Sequence, residues 1–261
     1  LSANGSIDEF KMDNNDLNTL DLRNGNNEAI VNFDITGNSS LTCVSVDDPY
    51  YSENNWANVD AGAEFKLTCD PNEIVNIPDA NFKPALLTHD PDIDTNDDDE
   101  ISYGEAEAFS GALDVKNLAI ADLTGIEAFI NITELEASFN NLNTINVSQN
   151  TSLTVLDVGD NNLSALDVSR LTSLEWLYLY RNNISDIDVT NNPLLTRLYI
   201  SENNFSSIDL SNNSSLLDFR ANDNNFSSID LSLIPDATTI YLYDNNLSDV
   251  DVSQNTDLAV L

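Results

Sequence analysis

An acidic segment at residues 94–105, "DTNDDDEISYGE", spaces its oxygen-bearing residues in the pattern of a calcium-binding loop. Such loops place oxygen ligands at positions 1, 3, 5, 7, 9 and 12, with an apolar residue at position 8. Taking Ile101 as position 8 fixes the register, because a start two residues earlier would put Asp99 there. Six residues then fall at the ligand positions, namely Asp94, Asn96, Asp98, Glu100, Ser102 and Glu105.

The chemistry of this segment predicts a structural Ca²⁺ site of the EF-hand type. Glu100 would contribute its backbone carbonyl, and Glu105 would bind the ion with both carboxylate oxygens. Position 6, usually glycine because φ is positive there, carries Asp99, so we expect a lower affinity than in a loop with glycine. The alternative is a solvated acidic loop, since the chain has 45 Asp and Glu against 9 Lys and Arg.

Two short helices are expected to position this loop. The segment "IPDANFKPALL" at residues 77–87 predicts the first helix, with Pro84 in its first turn or at a kink. The segment "GEAEAFSGAL" at residues 104–113 predicts the second. Apolar residues then recur at every third position from Ile120 to Ile132, which suits 3₁₀-like turns. Residues 71–131 are therefore interpreted as a small EF-hand-like cap that Ca²⁺ makes rigid.

A repeat of 21 residues follows this cap. Aligned units start at Ile132, Leu153, Leu174, Leu195, Leu216, Ala237 and Leu258. Each unit begins with the leucine-rich-repeat pattern L-x-x-L-x-L-x-x-N, whose positions 4 and 6 alternate as on a strand. Position 9 is always asparagine, expected to be buried and to bond backbone groups: Asn140, Asn161, Asn182, Asn203, Asn224 and Asn245.

The second half of each unit repeats a weaker version of the same motif. Positions 11, 14 and 16 are apolar in all six complete units, for example Phe205, Ile208 and Leu210. This pattern predicts a second short strand on the convex side and little helix. A buried Ile208 would make Ile208→Ala cost about 2–5 kcal/mol.

The first 70 residues show a related apolar pattern. Residues 1–70 are interpreted as the end of an earlier repeat array, closed by a cap that covers its last coil. Cys43 and Cys69 would form one disulfide in a secreted chain, the alternative being two unrelated thiols. The segment Leu1–Asn4 is not a signal peptide, and we expect the sequence to be part of a longer protein.

The outward positions 3, 5, 7 and 8 of the repeats concentrate aromatic and basic side chains. They include five of the eight Tyr, one of the two Trp and three of the nine basic residues. Aromatic residues favour strands, but this preference does not explain the arginines beside them. The candidate ligand-binding residues on the concave face are Trp176, Tyr178, Tyr180, Arg181, Arg197, Tyr199, Arg220, Tyr241 and Tyr243. Such a surface suits a protein or a glycan ligand.

Position 15 is Asp in five repeats and position 17 is Ser or Thr in six, which predicts two ladders on the convex side. We interpret these ladders as a solubilising face, while weak binding of divalent ions or ice stays open.

The net charge of −36 argues against nucleic acid and anionic membranes, whose phosphates would repel the chain. With one histidine, His89, no catalytic triad can be argued from spacing, so an enzyme is not expected.

The repeat L-x-x-L-x-L-x-x-N-x-L-x-x-I-D-V-S-x-N resembles those of secreted bacterial leucine-rich-repeat proteins related to internalins. "NIPDANFKPALL", "DLTGIEAF" and "LTCVSVDDPYYSENNWANVDA" resemble recurring segments of large bacterial surface proteins of this kind. The resemblance implies a leucine-rich-repeat solenoid, an α/β fold by family but here mostly β, with residues 132–261 as its second array. It also implies an extracellular or cell-surface adhesion module, which we expect to be a monomer without catalytic activity. The alternatives are a structural spacer and an accessory region of a carbohydrate-active enzyme.

Overall fold

The computed structural model describes residues 7–261, and its contacts divide the chain into two compact units. The first unit ends at Ile74 and also includes Ser102–Gly104. The second unit consists of Val75–Ile101 and Glu105–Leu261. Among the described residues, no helix is long and apolar enough to cross a membrane.

The described part of the first unit contains five short parallel strands, one α-helix and a 3₁₀ turn at Asn27–Ala29; the start of the predicted first array, residues 1–6, lies outside the described part. Strand β1 (Glu9–Lys11) pairs with β3 (Asn32–Asp34), and β2 (Leu20–Asp21), β4 (Cys43–Ser45) and β5 (Glu64–Lys66) form a second sheet. Helix α1 (Pro49–Asn55) begins after Asp48, whose side chain accepts the backbone N–H of Tyr51.

The core of the first unit is closed by an aromatic stack and a covalent link. The rings of Phe33 and Trp56 stack with their centroids 4.1 Å apart, and both side chains are buried. A disulfide joins Cys43 and Cys69, as predicted. Phe65 of β5 adds a third buried ring to this cluster, with its centroid 5.5 Å from that of Trp56.

The second unit contains a sheet of seven parallel strands in chain order. They are β6 (Gly111–Asp114), β7 (Ile132–Glu136), β8 (Val155–Asp157), β9 (Trp176–Tyr178), β10 (Arg197–Tyr199), β11 (Asp218–Arg220) and β12 (Thr239–Tyr241). Each strand from β8 on is one repeat further along the chain and pairs in register with the strand before it. The leucine-rich-repeat solenoid predicted from the sequence is therefore confirmed, and its sheet begins one strand before residue 132.

The asparagines at position 9 are bonded to the backbone of neighbouring coils, as predicted. Asn182 is typical: its Nδ2 donates to the carbonyls of Val158 and Leu179, each at 3.0 Å. Its Oδ1 accepts the backbone N–H of Leu163 at 2.9 Å. The amide thus satisfies backbone groups that the turn after each strand would otherwise leave unpaired.

The predicted strand in the second half of each repeat is wrong. In the described part of the 132–261 array, these halves consist of turns, bends and extended segments, with one 3₁₀ turn at Leu231–Leu233. The side chain at position 15 bonds the backbone two residues on, as when Asp188 Oδ1 accepts the N–H of Thr190, and this turn competes with strand pairing. Position 14 is buried at Ile187 but only half-buried at Ile208, while Phe205 at position 11 is fully buried.

The helices before the array are shorter than the sequence predicted. Helix α2 (Phe82–Leu87) has Pro84 in its first turn, and the side chain of Asp79 accepts the N–H of Phe82. Helix α3 (Tyr103–Ala108) ends well before the predicted residue 113, because Gly111 has φ of +103° and starts strand β6. A 3₁₀ turn at Ile126–Ala128 then leads into β7, as the three-residue spacing predicted.

Candidate functional site

The outward-pointing side chains of β7–β12, with the residues just after each strand, form a surface that we call the strand face. Register places Arg197 directly beside Trp176 and Tyr199 directly beside Tyr178. The next pairing places Asp218 beside Arg197 and Arg220 beside Tyr199. Parallel pairing at one repeat per strand therefore brings together residues that lie 21 positions apart.

One row of this face is a continuous stack. The rings of Tyr178 and Tyr199 have centroids 4.7 Å apart. The guanidinium carbon of Arg220 lies 4.2 Å from the Tyr199 ring centroid and 5.1 Å from that of Tyr241. Because neighbours in the row cover the flat sides of these groups, mainly ring edges and polar tips are left for a ligand.

The neighbouring row pairs Trp176 with Arg197, whose guanidinium carbon is 4.3 Å from the indole centroid. Nη1 of Arg197 is 3.5 Å from the Tyr178 hydroxyl, at the outer limit of a hydrogen bond. The interaction with this hydroxyl is the main cause that raises the pKa of Arg197. The guanidinium, which is charged at physiological pH in any case, thus rests on an aromatic surface.

Asp218 connects the two rows. Its carboxylate accepts a hydrogen bond from the Tyr199 hydroxyl at 2.6 Å and two from Nε and Nη2 of Arg220 at 3.0 and 2.9 Å. Burial, followed by the contact with Asp218, raises the pKa of Tyr199. The hydrogen bond to Asp218 raises the pKa of Arg220 as well. Arg220 is thus held and neutralised from within the chain.

The remaining predicted residues lie at the borders of this cluster. Arg181 binds Glu202 and Asp160 at 2.9 and 3.3 Å, so its charge is also balanced internally. The ring of Tyr243 packs against Tyr241 at 6.1 Å, and Tyr243 is 59% exposed. The structure thus brings all nine predicted residues onto strands β9–β12 and the residues that follow them.

Two residues that the sequence analysis missed shape the start of the cluster. A Cβ at Gly159 would come within 2.3 Å of the ring of Tyr180, so only glycine lets that ring lie against the backbone. Asp157, beside Tyr178 in register, accepts the N–H of Gly159 at 2.9 Å, and burial raises its pKa. A glycine at position 7 of one repeat, where other repeats have Ser, Tyr or Asn, was the available signal.

The acidic loop has part of the geometry of a calcium site. Asp94 and Glu105, the first and last predicted ligands, are only 6% and 9% exposed. The carboxylate of Asp94 accepts the N–H groups of Asp98 and Asp99 at 3.2 and 3.0 Å, which closes the loop around it. Asp99 has φ of +63°, the conformation expected for position 6.

Other predicted ligands are engaged differently. Glu100 forms an ion pair with Lys83 at 2.6 Å through its side chain, which leaves the predicted backbone role unaffected. Ser102 belongs to the first unit, where it pairs with Ile74 in a single antiparallel bridge. Within residues 7–261, no three His, Cys, Asp or Glu side chains are arranged to hold a metal ion, so the loop carboxylates would have to rotate toward a common point.

Comparison with known proteins supports the fold. A family model of the leucine-rich-repeat domain of the endo-β-N-acetylglucosaminidase EndoS matches residues 100–203, and no curated protein matches the chain. An internalin, InlF, from Listeria monocytogenes shares 18% identity and a TM-score of 0.56, covering 89% of this chain and 80% of that one. Internalin C2 from the same organism shares 22% identity and a TM-score of 0.53, covering 70% and 93%.

The functional domain of InlJ from Listeria monocytogenes shares 27% identity, with a TM-score of 0.48. It covers 73% of this chain, and the chain spans only 52% of that domain.

Proposed function

We propose that this chain is a non-catalytic binding and adhesion module of a secreted or surface-attached bacterial protein, and that it binds a protein partner through the strand face. The observation behind this proposal is the cluster of Tyr, Trp and Arg on β9–β12, in a chain with only nine basic residues. These three residue types dominate the energetics of protein interfaces. The fold shared with internalins and the disulfide in the first unit support an extracellular setting.

A protein suits this surface better than a neutral glycan. A sugar ring stacks on the open flat side of an aromatic residue, but Arg197 lies over the Trp176 ring, and Tyr199 has Tyr178 as one neighbour and Arg220 as another. Their edges, hydroxyls and guanidinium groups fit the mixed polar and apolar contacts of a protein interface. A glycan ligand is therefore an outcome for the experiment to detect.

The experiment screens a random peptide library displayed on phage and an array of immobilised glycans with the purified chain. We expect selected peptides to bind the wild type and to lose about tenfold or more affinity for Trp176→Ala and Tyr199→Ala. Tyr50→Ala, an exposed aromatic of α1, is the matched control and should bind as the wild type does. A structural spacer, the alternative function, would yield no ligand whose binding needs Trp176.

The match to the EndoS leucine-rich-repeat domain favours one further candidate, an accessory domain of an enzyme that acts on glycoproteins. In that case the partner would be a glycoprotein. Binding of the chain to a glycoprotein should then be compared with binding to the same protein after its N-glycans are removed. A difference of less than about twofold would reject this candidate.

We also propose that Ca²⁺ stabilises the loop of residues 94–105. The closed turn around Asp94 and the positive φ of Asp99 support this role, as does the local excess of acidic residues, which a cation would relieve. Asp94, Asn96, Asp98 and Glu105 would offer side-chain oxygens, and Glu100 its carbonyl.

Thermal unfolding with Ca²⁺ and with EDTA tests the calcium proposal. At a hundredfold excess over Kd, Ca²⁺ should stabilise the wild type by about 2.7 kcal/mol. Glu105→Gln should remove most of this gain, whereas Glu107→Gln, which removes the same charge from the same helix, should keep it. Equal responses of Glu105→Gln and the wild type would reject the site.

A further inference from the structure

Most cations of the strand face are already balanced by carboxylates of the same chain. Arg220 is paired with Asp218 at 2.9 Å, as described above. Arg181 is paired with Asp160 and Glu202, and outside this face, after β6, Lys116 is paired with Asp114 and Glu136. These groups can join an interface, but their charge has an internal partner.

Arg197 is the exception on this face. Among the described residues it forms no ion pair, and the one hydrogen bond of its side chain is the 3.5 Å contact to the Tyr178 hydroxyl. Its side chain is exposed, and the net charge of the chain is −36. An arginine without a carboxylate partner is unexpected in a chain with five times as many acidic as basic residues.

The neighbouring carboxylate explains how Arg197 stays unpaired. Asp218 is the in-register partner of Arg197 on the next strand and could have neutralised it. Instead, its oxygens accept one bond from Tyr199 and two from Arg220. Arg197 rests on the indole of Trp176, so its flat side is fixed while its N–H edge has little to bind within the chain.

We infer that Arg197 binds a carboxylate of the protein partner, namely an Asp or Glu side chain at the centre of the interface. A guanidinium presents two parallel N–H groups that match a carboxylate, and this pairing is stronger when flanking groups exclude water. Trp176 and Tyr178 would provide that exclusion. The inference rests on the proposed function, because it names the chemistry that the partner brings to the same face.

The net charge of the chain restricts the rest of the partner. A partner that is acidic overall would be repelled by the remaining carboxylates, so the acid that meets Arg197 should stand alone on a neutral or basic surface. Association should then slow as salt is added, since the attraction between the basic surface and this chain is screened. The contact at Arg197 would contribute to specificity more than to long-range attraction.

The test uses peptides selected from the random phage library against the wild-type chain. We expect them to share one Asp or Glu, and Arg197→Gln to weaken their binding about tenfold or more. Changing that peptide acid to its amide should have the same effect, with no further loss when both changes are combined. Lys116→Gln removes one positive charge from the same sheet and should change affinity less than about twofold.

The outcomes separate the two proposals. Peptides that need Trp176 but bind Arg197→Gln as tightly as the wild type would overturn the inference about Arg197 and leave the binding face in place. A selection without any peptide that depends on Trp176 would overturn both. Uronic-acid oligosaccharides that bind through Arg197 when no peptide does would also overturn the inference, because the carboxylate would then belong to a glycan.

Discussion

Two columns of buried asparagines run along the repeat array, and they differ in how well their amides are satisfied. At position 9, asparagine occurs in all six repeats, and both its oxygen and its nitrogen have backbone partners, as at Asn182. At position 19, asparagine occurs in four repeats, and Leu171 and Ile234 replace it in the others. The members of this second column are Asn150, Asn192, Asn213 and Asn255.

In the second column, only the amide nitrogen of each asparagine has hydrogen-bond partners. The Nδ2 of Asn192 donates to the carbonyls of Val168 and Leu171 at 3.0 and 2.8 Å. Its Oδ1 is buried and has no hydrogen-bond partner, and the same holds for the other three members. Both carbonyls also accept a backbone N–H, so an apolar residue at position 19 leaves no backbone group unpaired. The invariant column therefore differs from the variable one in the hydrogen bonding of its amide oxygens, and not in how deeply the asparagines are buried.

The largest effect is expected where a fully satisfied asparagine is removed. Asn182→Leu leaves the buried N–H of Leu163 without its acceptor. We expect it to lower the free energy of unfolding by about 2–4 kcal/mol, measured by urea denaturation. Asn245 makes the same bonds in a half-buried coil, where water can replace the amide, so Asn245→Leu should cost only about 1 kcal/mol. Equal costs at the two positions would contradict this account.

A smaller effect is expected in the second column. Asn192→Leu removes a buried oxygen that has no partner and adds apolar volume that the fold accepts at Leu171. We expect the free energy of unfolding to change by less than about 1 kcal/mol in either direction. The reverse change, Leu171→Asn, is the control and should destabilise by about 1–2 kcal/mol, because it buries a new unpaired oxygen. A loss at Asn192→Leu as large as that at Asn182→Leu would remove the distinction.

The same contrast explains how far the sequence could predict the fold. Position 9 was predictable because its periodicity is unbroken, and a buried asparagine repeated six times must bond the backbone. Asparagine at position 19 is part of the repeat consensus, but no burial was predicted for it, and Leu171 and Ile234 interrupt the column. The predicted second strand is wrong because the apolar spacing at positions 14 and 16 suits a strand, while the hydrogen bond that Asp188 accepts from the N–H of Thr190 favours a turn. The spacing of apolar residues alone cannot decide between a strand and this turn.

The candidate binding surface was predictable as a set of residues but not as a set of charges. Outward positions follow from the strand period, so Trp176, Arg197 and Arg220 could be grouped on one face. Which arginine is neutralised depends on whether the Asp218 carboxylate bonds Arg197 or Arg220, and this is set by side-chain geometry. The fit of Tyr180 over Gly159 is likewise a contact between coils that no local pattern contains.

The smallest effect is expected at position 15, where the acceptor is satisfied but exposed. Hydrogen bonds from Thr190 hold the pKa of Asp188 below its ordinary value of 3.8, and those from Ser211 do the same for Asp209. A depressed carboxyl pKa contributes stability at pH values above 3.8 that is lost as pH falls through the folded-state pKa. The array should therefore lose a little stability as the pH falls below 3.8. Added salt should have little influence on these hydrogen bonds, because donor and acceptor are in direct contact.

The first repeat supplies the matched comparison, because Asn146 stands at position 15 and accepts the N–H of Ser148 at 3.0 Å. An amide makes the same turn as a carboxylate but does not titrate. Asp188→Asn combined with Asp209→Asn should thus leave stability at pH 7 nearly unchanged and make the loss below pH 3.8 less steep. Urea denaturation at pH 7 and at pH 3 measures both quantities. A loss of stability at pH 7 as large as that of Asn182→Leu would mean that an exposed acceptor matters as much as a buried one. Burial of a hydrogen-bonded amide would then not explain the contrast between the two columns.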